Sequence, residues 1–104
     1  MRYFMISFKS VEVSDEVKLR DFLGENGFKY WHRFPNMWLV ITPDELSVHQ
    51  LTDMVDEHLS GAPDYIAVEF GISGVTASIP RSIWPWFEKN LEFEFEDDDS
   101  AGGK

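Results

Sequence analysis

Residues 28–42, FKYWHRFPNMWLVIT, read as two strands folded back on each other. Phe28 to Phe34 and Met37 to Thr42 are rich in aromatic and β-branched residues, and Pro35 with Asn36 between them suits a turn with Pro at its first central position and Asn at its second. Pro cannot adopt the positive φ of a type I′ turn, so the reading favours a loop longer than two residues. With an even loop length, Phe28, Tyr30, His32, Phe34, Met37, Leu39 and Ile41 share one face of the hairpin. Lys29, Trp31, Arg33, Trp38, Val40 and Thr42 then share the other.

The flanking segments decide what the hairpin belongs to. Upstream, residues 3–9 (YFMISFK) are strand-like, and Ser14 offers an N-cap to a helix with Asp15 and Glu16 in its first turn and an apolar stripe at Val17, Leu19, Phe22 and Leu23. Downstream, Leu51, Met54, Val55 and Leu59 recur at helical spacing. Two capping boxes compete for the start of that helix, Thr42 with Glu45 and Ser47 with Gln50. Residues 65–72 (YIAVEFGI) read as a fourth strand, and residues 82–90 as a short helix with Pro85 in its first turn. The order strand, helix, strand, strand, helix, strand predicts an α+β, ferredoxin-like (βαββαβ) antiparallel sheet with two helices on one face. The short C-terminal helix follows, and the strict alternation of LEFEFE at residues 91–96 adds a possible fifth strand. Leu91, Phe93 and Phe95 lie on one side of it, and a strand so short is stable only when added to a sheet edge, its own or a partner's.

Composition narrows the function classes. The chain has 104 residues with 43% hydrophobic and 15% aromatic content, enough for one self-folding domain over residues 1–91 followed by an acidic tail at 92–104. The absence of cysteine excludes disulfides, thiolate metal sites and cysteine nucleophiles. No apolar run is long enough to span a bilayer and the N-terminus lacks the pattern of a secretory signal, so the expectation is a cytoplasmic protein without membrane contact. A formal charge of −10 repels phosphate backbones and disfavours nucleic acid as a partner; the acidic excess reads first as solubility through like-charge repulsion and second as a match to a protein partner with a basic surface.

Three groups of residues are candidates for chemistry. Trp31, Arg33 and Trp38 are expected on the sheet face without helices, where two indoles beside a guanidinium can form a dimer interface, grip a peptide or stack bases; a twin that buries the aromatic patch is favoured. His32 lacks a nearby nucleophile or paired carboxylate and is read as a half-buried imidazole bonded to backbone before it is read as catalytic. His49, Asp53 and Asp56 recur on one helical face and could bind a divalent ion, though a polar stripe is also the ordinary solvent side of an amphipathic helix.

The stretch YWHRFPNMWLVIT, residues 30–42, resembles the hairpin of small SinR-like proteins, and IPRSIWPWFEK, residues 79–89, resembles their C-terminal stretch. Those proteins are similar in turn to the small CRISPR-associated ribonuclease of the spacer-acquisition complex and to VapD-like toxins, and the resemblance covers residues 3–89. It implies a ferredoxin-like homodimer whose C-terminal strand crosses to the partner's sheet. In active nucleases of that group an Asp at the end of the first strand helps bind a divalent metal; the matching position here is Lys9, and an ammonium cannot ligate Mg²⁺. Glu12 and Asp15 substitute only if the following loop folds back. The expectation is a non-catalytic dimerising module of a toxin–antitoxin or phage-defence system, with no cofactor. A Mg²⁺-dependent endonuclease at the dimer interface and an acidic inhibitor that mimics nucleic acid are the alternatives.

Overall fold

A computed structural model of the chain describes residues 1–59, 63–71 and 81–91. The chain divides into two compact units, residues 1–70 and 71–104. In the first, β1 (Arg2–Phe8), α1 (Val13–Glu25), β2 (Lys29–Phe34), β3 (Met37–Thr42), α2 (Val48–His58) and β4 (Tyr65–Phe70) follow in the order expected of a ferredoxin-like fold. The four strands form one antiparallel sheet in the order β2-β3-β1-β4, so β2 and β4 are its edges.

Strand alternation fixes what each face carries. Phe4, Ile6 and Phe8 of β1 and Trp38 and Val40 of β3 form one buried cluster with Leu19, Phe22 and Leu23 of α1 and Leu51, Val55 and Leu59 of α2. Both helices therefore cover the same face. Their contact is tied by the His58 ring, stacked on Phe22 at 4.6 Å, while His58 Nδ1 lies 2.7 Å from the Met54 carbonyl oxygen.

The start of α2 resolves the two competing capping boxes. Gln50 N donates to Ser47 Oγ at 3.1 Å and Ser47 N donates to Gln50 Oε1 at 2.8 Å, so two of the amide groups left over at the helix start are satisfied reciprocally. Thr42 is held in the sheet as the partner of Arg2, and the chain needs residues 43–46 to turn away before a helix can begin. The other helix starts slightly earlier than Ser14 predicts: Glu12 is its N-cap, and Asp15 and Glu16 remain in its first turn. β4 ends at Phe70, short of the expected residue 72.

In the second unit, a single 3-10 turn at Arg81–Ile83 leads into α3 (Trp84–Asn90), with Pro85 in the first turn where it breaks no helical hydrogen bond. The Arg81 guanidinium sits 4.9 Å over the Trp84 ring, and Trp86 meets Phe87 edge-on. No helix among the described residues is long and apolar enough to cross a membrane.

Candidate interaction surface

The hairpin departs from the expected register, and the departure moves a candidate residue. Pro35 and Asn36 form a two-residue turn between paired Phe34 and Met37, not the longer loop expected. The next pair inward is Trp31 with Leu39, so β2 spends one residue more than β3 over this interval. That extra residue is a bulge, and because side chains alternate with a period of two it flips everything beyond it to the other face. Trp38, expected on the uncovered face, is instead 0% exposed in the core beneath the helices, together with Val40 and Thr42. Phe34, Met37, Leu39 and Ile41, expected in the core, belong to the opposite face.

His32 points to the core side with Trp38, and the two rings stack at 3.7 Å and 3° between planes. Its Nε2 lies 3.2 Å from the Pro35 carbonyl oxygen, close enough for the Nε2–H tautomer to donate. The imidazole is a half-buried packing group that spans the bulge.

The face opposite the helices, called the reverse face below, is built in cross-strand rows. One row runs Trp31, Leu39, Met5, Val68 from β2 to β4, and the neighbouring one runs Phe34, Met37, Ser7, Ile66. Burial falls along the first: Trp31 is 4% exposed and Leu39 is buried, Met5 is half-buried, and Val68 is 45% exposed. Ile66 at the same edge is 67% exposed. Trp31 thus lies on the expected face, but as a buried indole packed edge-on against Phe34. Arg33, within the bulged interval, is exposed.

The candidate acids do not assemble. Asp15 is 2% exposed and its carboxylate stands 3.9 Å from Lys18 Nζ, while Glu12 is exposed and its side chain makes no cap bond. The end of β1 is pinned from both sides: Phe8 N donates to Asn36 O at 2.7 Å and Lys9 N donates to Asp64 O at 2.9 Å. On α2, His49, Asp53 and Asp56 are exposed, and Asp56 Oδ1 accepts a hydrogen bond from Tyr65 Oη at 2.8 Å. Among the described residues no group of three His, Asp or Glu side chains is placed to hold a metal ion. Tyr65 Oη also lies 3.1 Å from the Thr52 carbonyl oxygen, which makes the phenol a strut between β4 and α2, and burial, then the bond to Asp56, pushes it above its ordinary range.

No family model matches the chain, and neither a curated protein nor a solved structure does. Leu91 is buried, and Phe93 and Phe95 of the expected fifth strand lie outside the described residues. The residues that sequence reading missed are Ile66 and Val68. Their signal was present in YIAVEF: Ile66, Val68 and Phe70 are apolar on one side of a strand whose other side carries Tyr65 and Ala67, a two-sided pattern in a strand that ends at a sheet edge.

Proposed function

We propose that the chain is a dimerising, non-catalytic interaction module of the toxin–antitoxin or phage-defence type, which meets its partner through the reverse face. The observation that carries this reading is the β4 edge of that face, where Ile66 and Val68 stand well exposed on a folded sheet. Exposed apolar residues gathered on one face of a small domain mark a surface that is covered in use. The overall charge of −10 favours a protein partner with a basic surface over nucleic acid, whose phosphates the long-range field repels. Lys9, at the position where the resemblance places a metal-binding Asp, supports the non-catalytic part of the reading, as do Asp15, buried beside Lys18, and Glu12, exposed at the helix start.

Sedimentation velocity of the full chain over a concentration series tests it. A concentration-dependent dimer is the expected result, and a monomer at high micromolar concentration overturns the reading. The non-catalytic part is tested by incubation with single-stranded RNA and with duplex DNA in Mg²⁺ or Mn²⁺. Chelator-sensitive cleavage that is lost in Asp15→Asn overturns it.

A further inference from the structure

The two edges of the sheet are built differently. β2 carries exposed Lys29 and Arg33 and the bulge between Trp31 and Phe34, devices that stop a second sheet from adding to an edge. β4 has none of these. Its six residues contain no Lys, Arg or Pro, it pairs with β1 in unbroken register from Tyr3↔Phe70 to Phe8↔Tyr65, and no strand among the described residues pairs with its outer side. An edge this regular, with an apolar face, is a template for another strand.

We infer that β4 pairs antiparallel with β4 of a second copy, about a two-fold axis through Val68, so that two four-stranded sheets join into one. This rests on the dimerising reading above and specifies where the seam lies. Residues directly opposite each other in an antiparallel pair share a face, so a two-fold that keeps both reverse faces on one side must pass through a residue position. With the axis at Val68, Ile66 faces Phe70 of the second copy, Val68 faces its own counterpart, and every reverse-face pair is apolar. With the axis at Ala67, exposed Asp64 would face Phe70 of the second copy instead. Charge is compatible with this contact although the copies repel at long range. The one charged side chain within β4 is Glu69, and Arg2 holds it with two hydrogen bonds, Nη2 to Oε1 at 2.8 Å and Nε to Oε2 at 3.0 Å, which leaves the seam locally neutral.

The native chain contains no cysteine, so single-cysteine variants report the seam without background. Val68→Cys places two thiols across the axis at a spacing that a disulfide can bridge, and mild oxidation should give a covalent dimer. Ile66→Cys alone should stay uncross-linked, whereas Ile66→Cys mixed with Phe70→Cys should give the heterodimer. Val68→Lys, which sets like charges opposite each other at an exposed position and spares the core, should weaken dimerisation at least tenfold by sedimentation. If the native chain is monomeric at every concentration, both the dimerising reading and this seam fail. If it is dimeric but Val68→Cys does not cross-link, or Val68→Lys dimerises as well as the native chain, the seam alone is overturned. An intrachain disulfide in the Val68→Cys, Phe93→Cys double variant would give the edge to the chain's own segment 91–96 and also overturn it.

Discussion

The two faces of the sheet are both apolar, yet they are apolar in different ways. Beneath the helices the side chains interlock: Phe4, Ile6, Trp38 and Val40 are 0% exposed, and Trp38 touches Tyr30 and His32 as well as the cluster. On the reverse face burial falls along one row from Trp31 to exposed Val68, and the neighbouring row has exposed residues at both ends, Phe34 and Ile66. The first arrangement spends its apolar surface on holding the domain together, whereas the second leaves part of it available. Trp38 and Ile66 mark the two regimes, and substitutions at each face should separate them.

The largest effect is expected at Trp38. Trp38→Ala should destabilise the fold by about 3–5 kcal/mol in chemical denaturation, because it empties the centre of the core. Trp38→Phe should recover much of that loss, since it keeps most of the ring and removes an indole N–H that has no acceptor among the described residues. A Trp38→Ala protein as stable as the native chain would mean that the hairpin has the other register, with this indole outside.

That register is also where legibility in the sequence ended. Element types and order could be read because each depends on local signals: alternation, helical spacing, and turn residues at Pro35 and Asn36. The helix-covered face of β1, with Phe4, Ile6 and Phe8, needed nothing more. The faces of β2 and β3 depend on whether one residue bulges, and no residue type between Trp31 and Phe34 announces that it does. The bulge goes with tertiary packing, in which Trp38 fills the space under two helices while Trp31, a side chain of the same size, takes the other face. The two complete capping boxes were similarly undecidable locally, since the pairing of Thr42 with Arg2 in the sheet selects between them. The candidate surface was half legible, with Trp31 on the right face and the exposed edge at Ile66 and Val68 unseen.

Intermediate effects belong to the polar struts that hold the covered face together. Ser47→Ala should cost about 1 kcal/mol by removing half of the capping box of α2. Tyr65→Phe should cost about 1 kcal/mol by deleting the phenol that reaches Thr52 O and Asp56. The phenol has a pH signature as well. Its folded-state value is raised above the ordinary 10.0, so its contribution is fully present below that value and is lost as pH rises toward the folded one. Native protein should therefore lose stability relative to Tyr65→Phe in strongly alkaline solution; parallel alkaline melting curves for the two would contradict the strut.

A smaller effect is expected on the reverse face. Ile66→Ser, measured at concentrations where the protein is monomeric, should change stability by less than about 0.5 kcal/mol, since the side chain is 67% exposed. A loss comparable to that at Trp38 would show that Ile66 is already covered within the monomer, and the contrast between the faces would collapse.

The smallest effect is expected at the Arg2–Glu69 pair, where exposure and solvent screening leave little net energy despite good geometry. Its sign is nevertheless definite. The hydrogen bonds from Arg2 hold the Glu69 carboxyl below the usual carboxylate range, so the pair contributes above the unfolded value and loses that contribution as pH falls through the folded one. Native protein and Glu69→Gln should differ slightly at neutral pH and converge in acid. The difference should also shrink in concentrated salt, because both groups face water. A difference that grew with acidity would reverse the assigned sign, and would mean that Glu69 is held in its protonated form at the very edge where a neutral seam requires it ionised and paired.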